Sequence, residues 1–308
     1  MLKYSNAMQY IPCKTIVAKT KNHYWFGTDH NMNIYRGCCH GCIYCDSRSD
    51  CYREVDFDTV KAKENALEVI KSDLSKLRRK GVVATGSMSD PYNPFESGLN
   101  LTGKALMLLD AFRFGVAIAT KSPLITRDID LLQSIKEHSP VICKITITTS
   151  DDVLSKKIER SAAPSSERFA ALSKLSQNSI FCGVLMMPIL PFINDTEENI
   201  VGITRATAAS GAKFIMPSFG MTLRDSQRAY YYEQLDKYFP AIKAKYIRAF
   251  NDYYQANSPN SKKLYSIFAS ECQKHKLLFE MQDIIKAYKS PHEIEPLDLF
   301  DLLNNRDI

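Results

Sequence analysis

The sequence predicts an α/β fold: a partial (β/α)6 barrel of the TIM type followed by a helical C-terminal extension. Three observations carry this prediction. Six short apolar runs rich in β-branched residues recur along the chain, separated by helical patterns. The strand signal stops after residue 222, where helical patterns take over. A cysteine-rich loop follows directly on the first strand. Strands that alternate with helices pair in parallel through right-handed crossovers. Runs that are apolar on both sides suit strands covered on both faces. A closed eight-stranded barrel would need two more units.

The first strand is short and enters the cysteine loop at Asn33-Ile34-Tyr35. A helix is expected over about 58–80, with Leu67, Ile70, Leu74 and Leu77 on one face and Gly81 ending it. Val82–Thr85 reads as the second strand. Thr102 is the expected N-cap of a helix carrying Leu106, Leu109 and Phe112. Gly115 opens the third strand, Val116–Thr120. Thr126 is the expected cap of a helix with Ile129, Leu132 and Ile135. The fourth strand spans Val141–Thr149. A helix at about 165–177 carries Phe169, Leu172 and Leu175. Ile180–Met187 is the fifth strand. Asp195 and Glu198 form a capping-box pattern for a helix with Ile200 and Ile203. Phe214–Met216 is the sixth strand. The remainder reads as wholly helical, and Pro291–Ile308 as a short helix plus tail. The expected organisation is therefore an N-terminal segment, 1–30, packing on or near the barrel mouth, a barrel over 31–222 and a helical extension over 223–308.

Composition narrows the functional classes. The chain has 308 residues, 45% of them hydrophobic, and a net charge of +6. That describes a soluble globular protein with a large core. No apolar run is long enough for a membrane span, and the N-terminus lacks the apolar core of a secretory signal. A cytoplasmic location is expected, with no membrane partner. Nine cysteines are present, four of them within residues 38–45 and a fifth at Cys51. Clustering of this kind points to metal ligation rather than crosslinking.

The loop reads Asn33-Ile34-Tyr35-Arg36-Gly37-Cys38-Cys39-His40-Gly41-Cys42-Ile43-Tyr44-Cys45-Asp46. Cys38, Cys42 and Cys45 have the spacing C-x3-C-x2-C, at the strand end where barrels of this kind carry their active sites. Three thiolates are one short of a closed tetrahedral zinc site. A [4Fe–4S] cluster held by three cysteines leaves one iron open to an amine and a carboxylate, and S-adenosylmethionine (SAM) offers both. The competing reading is zinc, with His40, Cys39 or Cys51 as fourth ligand.

The motif resembles the radical SAM signature C-x3-C-x-aromatic-C, with Tyr44 at the aromatic position. The blocks NIYRGCCHGCIYCDSRS, GSMSDPYNPFE, ATKSPLITRDIDLL and APSSERFAAL, in this order, resemble the DNA repair photolyase branch, which includes spore photoproduct lyase. The resemblance covers roughly residues 10–225. It is closer to uncharacterised relatives than to the lyase. It implies a [4Fe–4S] cluster on Cys38, Cys42 and Cys45, with SAM beside it, and Tyr44 near the adenine. By the same resemblance Ser89 and Lys121 contact SAM, Lys121 meeting its carboxylate. It implies a nucleic-acid substrate, DNA-repair lyase chemistry and an electron donor such as flavodoxin or ferredoxin. One position departs: where the lyase has its hydrogen-donating cysteine, this chain has Ser87, and a serine O–H bond is too strong for that role.

Strand-end residues complete the candidate site. Thr148 ends the fourth unit. Glu159 and Arg168 are candidates for the SAM ribose and carboxylate. Asp90 and Tyr92, in the turn-rich Asp90-Pro91-Tyr92-Asn93-Pro94, are the candidate catalytic residues on the substrate side. Between Arg224 and Lys289, twelve Lys or Arg stand against seven Asp or Glu, and nine of the sixteen tyrosines lie there. That composition suits stacking on a nucleic acid, and also suits amphipathic helices with buried tyrosines. Two alternatives stay open: a radical SAM enzyme acting on a small molecule or peptide, and a non-catalytic zinc-binding nucleic-acid adaptor.

Overall fold

The computed structural model describes residues 8–54 and 56–292. Six parallel strands form the barrel wall: β1 (His30–Met32), β2 (Val82–Thr85), β3 (Gly115–Thr120), β4 (Val141–Thr146), β5 (Cys182–Met186) and β6 (Phe214–Pro217). They are ordered sequentially from β1 to β6, and Val17–Lys19 adds an antiparallel edge beside β1. The sheet is open, so the expected partial barrel is what forms. Helices α1 (Ala66–Lys76), α2 (Leu101–Ala111), α3 (Ile129–Lys136), α4 (Ser165–Gln177) and α5 (Glu197–Ala209) cover its outer face.

Strand alternation separates two cores. Val83, Val116, Ile118, Cys143, Ile145, Cys182, Val184 and Ile215 face the helices. Val82, Ala117, Ile142, Leu185 and Phe214 face the lumen, where Phe26 and residues of α9 (Met281–Lys289) fill the end at which the strands begin. Met281, Ile284 and Tyr288 supply that plug, and the Tyr288 hydroxyl donates to the Phe26 carbonyl at 2.6 Å. Phe26 of the N-terminal segment therefore lies at the end where the strands begin, while Gln9–Ile11 pairs with Lys61–Lys63, the neighbour of the Tyr35–Arg36 strand that enters the cysteine loop.

The extension also contains α6 (Asp225–Tyr238), α7 (Pro240–Phe250) and α8 (Ser261–His275). It is not wholly helical: Gly220–Thr222 pairs antiparallel with Gln255–Asn257. Helices α6 and α7 pack over the barrel mouth, where Tyr231, Leu235, Tyr246 and Phe250 join Cys42, Tyr44, Ile158 and Leu190 in one cluster. Among the described residues no helix is long and apolar enough to cross a membrane.

Several element boundaries differ from expectation for identifiable reasons. The first barrel strand is His30–Met32, because Tyr35–Arg36 leaves the main sheet to pair with Lys61–Lys63. The same pairing takes residues 61–63 out of the expected helix, and left-handed Asn65 precedes α1. Thr102 does not cap α2; Asn100 holds that position, and the Thr102 hydroxyl donates to the Pro91 carbonyl at 2.6 Å. Thr126 lies inside a 3-10 turn whose cap is Ser122. Thr196, not Asp195, caps α5, because the Asp195 carboxylate accepts from Ser258. The expected helix and tail beyond His292 lie outside the described residues.

Candidate functional site

The cysteine loop is bent by Gly37 and Gly41, both with positive φ. A Cβ on Gly37 would meet the Thr59 carbonyl oxygen at 2.1 Å, so only glycine fits that approach. Backbone bonds pin the loop on two sides. Cys38 N–H donates to Phe57 O at 2.7 Å, and Ile43 N–H to Ile158 O at 2.9 Å. The segment after β4 is thereby held against the loop, with Cys42 bridged to Glu159.

Cys38, Cys42 and Cys45 line one recess of about 80 Å³ at the C-terminal ends of the strands. His40, Ser47, Ser87, Met88, Ser89, Asp90, Ala119, Thr120, Lys121 and Thr146 complete most of its wall. Burial pushes the Cys42 thiol up to about 12 and raises Cys38 and Cys45 as well. Thiols in such a place ionise only when a cation joins them, and the thiolate is the form that ligates metal.

Behind the loop lies a buried charged network. The Tyr44 hydroxyl and Arg168 Nη1 both donate to the Glu159 carboxylate. Arg168 also donates to Thr146 O at 2.9 Å and to Ala163 O at 2.8 Å. Burial works against the charge of Glu159, but Arg168 and Lys121 outweigh it and hold its pKa below the usual value. Lys121 is likewise opposed by burial and held charged by Cys42 and Glu159; its Nζ lies 5.8 Å from the Tyr44 ring centre.

The predicted residues divide into three groups. Tyr44, Glu159 and Arg168 form the network, with Lys121 beside it. Ser89 lines the recess and donates its hydroxyl to the Gly37 carbonyl, tying β2 to the cysteine loop. Thr148 is fully buried, and its carbonyl accepts from Asn194 and Asn199. Of the candidate pair Asp90 and Tyr92, Asp90 lines the recess and Tyr92 is buried beside it in the following turn. Asp90 Oδ1 accepts from Tyr92 N–H and Thr120 Oγ1, and Oδ2 from Lys121 N–H, so the carboxylate is spent in joining strand ends. Tyr92 is not part of the recess wall, and its hydroxyl donates to Asp128 at 3.1 Å. His40, considered only as a zinc ligand, is buried with Nδ1 3.5 Å from Asp90 Oδ2. Thr120 and Thr146 escaped sequence reasoning, although their positions at strand C-termini marked them.

The donor set fits an iron–sulfur cluster with SAM. Three thiols open on one recess beside a buried cation. Two buried polar atoms nearby, Arg168 Nη2 and Thr148 Oγ1, have no protein partner and can serve a ligand. Among the described residues no three His, Cys, Asp or Glu side chains gather around one point as a single ion requires. A cubane does not need such convergence, because each cysteine ligates a different iron. The zinc reading gains no support.

Comparison with known proteins agrees. An uncharacterized protein of Mycobacterium tuberculosis is 29% identical over 241 residues, covering 76% of this chain and 71% of its own length. One from Methanocaldococcus jannaschii is 34% identical over 182 residues, covering 58% and 67%. Spore photoproduct lyase, solved with bound AdoMet and dinucleoside spore photoproduct, has a similar fold: TM-score 0.63 at 12% identity, over 86% of this chain and 79% of that one. The radical SAM methyltransferase TsrM from Kitasatospora setae follows at TM-score 0.55 and 12% identity, over 81% and 54%. At such identities the likeness is one of fold. The profile of the radical SAM superfamily matches residues 32–202. The chain belongs to the radical SAM superfamily, whose cofactors are S-adenosylmethionine and a [4Fe–4S] cluster.

Proposed function

We propose that this protein is a radical SAM enzyme that cleaves SAM reductively and acts on nucleic acid. The observation that carries the first part is the recess shared by Cys38, Cys42, Cys45 and Lys121. The three thiolates would hold the cluster, and Lys121 would meet the SAM carboxylate, a charge-assisted contact strengthened by burial. Tyr44 would lie by the adenine. Glu159 and Arg168 hold the loop and offer Nη2 to the ligand, and Ser89 fixes the strand end beside it. With the cluster bound, the chemistry supplied is one-electron cleavage of SAM to methionine and a 5′-deoxyadenosyl radical. Helices α6 and α7 pack against the Cys42 and Tyr44 side of the mouth, and residues 31–222 would form the catalytic barrel beneath them. An electron donor such as flavodoxin or ferredoxin would supply the electron, in the cytoplasm.

The nucleic-acid part rests on the surface next to the mouth. Lys245 and Arg248 are exposed on α7, and among the described residues no carboxylate pairs with either. Ile247, Tyr253 and Tyr254 are exposed beside them, with Arg224 4.9 Å from the Tyr254 ring centre. Cations interleaved with aromatics suit a phosphate backbone and stacked bases. Other tyrosines of the extension, Tyr231, Tyr246 and Tyr288, are buried core residues. Ser87 lines the recess without a thiol, so hydrogen return by a cysteine at that position is not available.

Anaerobic reconstitution tests the first part: iron, sulfide and dithionite-dependent 5′-deoxyadenosine are expected, and their absence refutes it. Fluorescence anisotropy tests the second. Single-stranded DNA or RNA should bind with a steep salt dependence, and Lys245→Glu with Arg248→Glu should lower the salt slope by about 2. Salt-insensitive failure to bind any nucleic acid would transfer the substrate to the small-molecule or peptide class.

A further inference from the structure

Lys144 is a charge in the lumen that neither the cofactors nor the core explains. It is the fourth residue of β4, and alternation places it on the inner face with Ile142 and Thr146. Its register partners are Ala119 on β3 and Gly183 on β5, neither of which offers it a polar side chain. The residue is 3% exposed, and its Nζ lies 4.6 Å from the Phe26 ring centre. Among the described residues no carboxylate pairs with it, and no acceptor takes a hydrogen bond from it.

An ammonium in such a place is costly unless an anion joins it. Burial lowers the Lys144 pKa to about 8, and Cys143, next along the strand, is the one titratable group opposing the shift. A purely structural side chain at this position would be Leu or Met. Ala119, its partner on β3, and Thr146, the next inner-face residue of β4, both line the recess that opens to the mouth. The amine therefore lies one layer below the cofactor recess, on the floor of the lumen and above the Phe26 plug.

We propose that Lys144 is the floor of a substrate subsite, where its amine takes an anionic oxygen, carboxylate or phosphate, of the molecule entering the barrel. The proposal rests on the superfamily assignment and not on the nucleic-acid reading. A nucleotide phosphate and a carboxylate metabolite would use the same contact.

The test uses the full-length, cluster-reconstituted protein. Reductive methylation with formaldehyde, mapped by mass spectrometry, reads Lys144 against exposed Lys245. Lys144 should react at a rate that climbs through pH about 8. Inorganic phosphate or acetate, at a few times its dissociation constant, should slow that reaction about five-fold, with Lys245 much less affected. Protection by phosphate alone assigns a phosphorylated substrate, and protection by acetate alone a carboxylate. In a second measurement, Lys144→Met should raise the urea midpoint, because it removes an uncompensated charge. Absence of labelling at every pH, labelling indifferent to both anions, or a lowered midpoint in Lys144→Met would each overturn the proposal.

Discussion

Replacing Arg168 by methionine tests whether the buried network holds the loops around the recess. Arg168 and Glu159 are both almost fully buried and joined directly. Arg168→Met keeps most of the side-chain volume but leaves the Glu159 carboxylate without its ion-pair partner, beside the Tyr44 hydroxyl. It also strips donors from Thr146 O and Ala163 O, which lie 2.9 and 2.8 Å from the guanidinium. Breaking one side of a buried pair costs about 3–5 kcal/mol, because the surviving charge stays desolvated. Urea unfolding of the cluster-free protein should show a loss of that size. Cluster-free protein is needed because cofactor binding adds its own stabilisation. The pH dependence separates charge from packing. In the native protein the Glu159 pKa is depressed. Its contribution is thus complete above the ordinary carboxylate value of about 4.3 and lost as pH falls through the folded value. In Arg168→Met burial is opposed only by Lys121 and the Tyr44 hydroxyl, so that pKa rises from its native value. The deficit is then largest near neutral pH and narrows as acid protonates Glu159. Glu159→Gln combined with Arg168→Met should recover part of the loss. A deficit below about 1 kcal/mol, or one that does not change with pH, would refute the reasoning.

Three further outcomes are expected. Cys45→Ala should reduce bound iron from about four per chain toward zero and abolish the brown absorbance, while Cys51→Ala, exposed and outside the recess, should retain both; equal iron in the two variants would exclude Cys45 as a ligand. Lys121→Met should weaken SAM binding about ten- to a hundred-fold by calorimetry, the value of one charge-assisted contact in a dry pocket, and unchanged affinity would remove Lys121 from the SAM site. Gly37→Ala places a methyl 2.1 Å from the Thr59 carbonyl at φ +73, so thermal unfolding should show a loss of about 2 kcal/mol or more, and wild-type stability would show that the loop tolerates the substitution.

What the sequence shows of this protein depends on how local the cause is. The parallel strands β2–β6 are legible because a run such as Val116–Ala119 is apolar on both faces, and that pattern is a property of the segment itself. The cluster cysteines are legible because their spacing is local too. Contacts between distant segments are not. Asp195 has the letters of a helix cap, yet its carboxylate faces Ser258, 63 residues away, and Thr196 takes its place. Lys61–Lys63 has no strand signature, and becomes a strand because Gln9–Ile11 and Tyr35–Arg36 flank it. Asp90 illustrates the same limit within the site. Its position at a strand end marked it as a residue of the mouth, but four groups converge on its two oxygens from the cysteine loop, the β2 end and the β3 end. A carboxylate so engaged ties the cysteine loop to the ends of β2 and β3. Lys144 is the converse case. One lysine in an apolar strand is unremarkable as a letter, and becomes informative only once alternation and register show that it points into the lumen without a counter-charge.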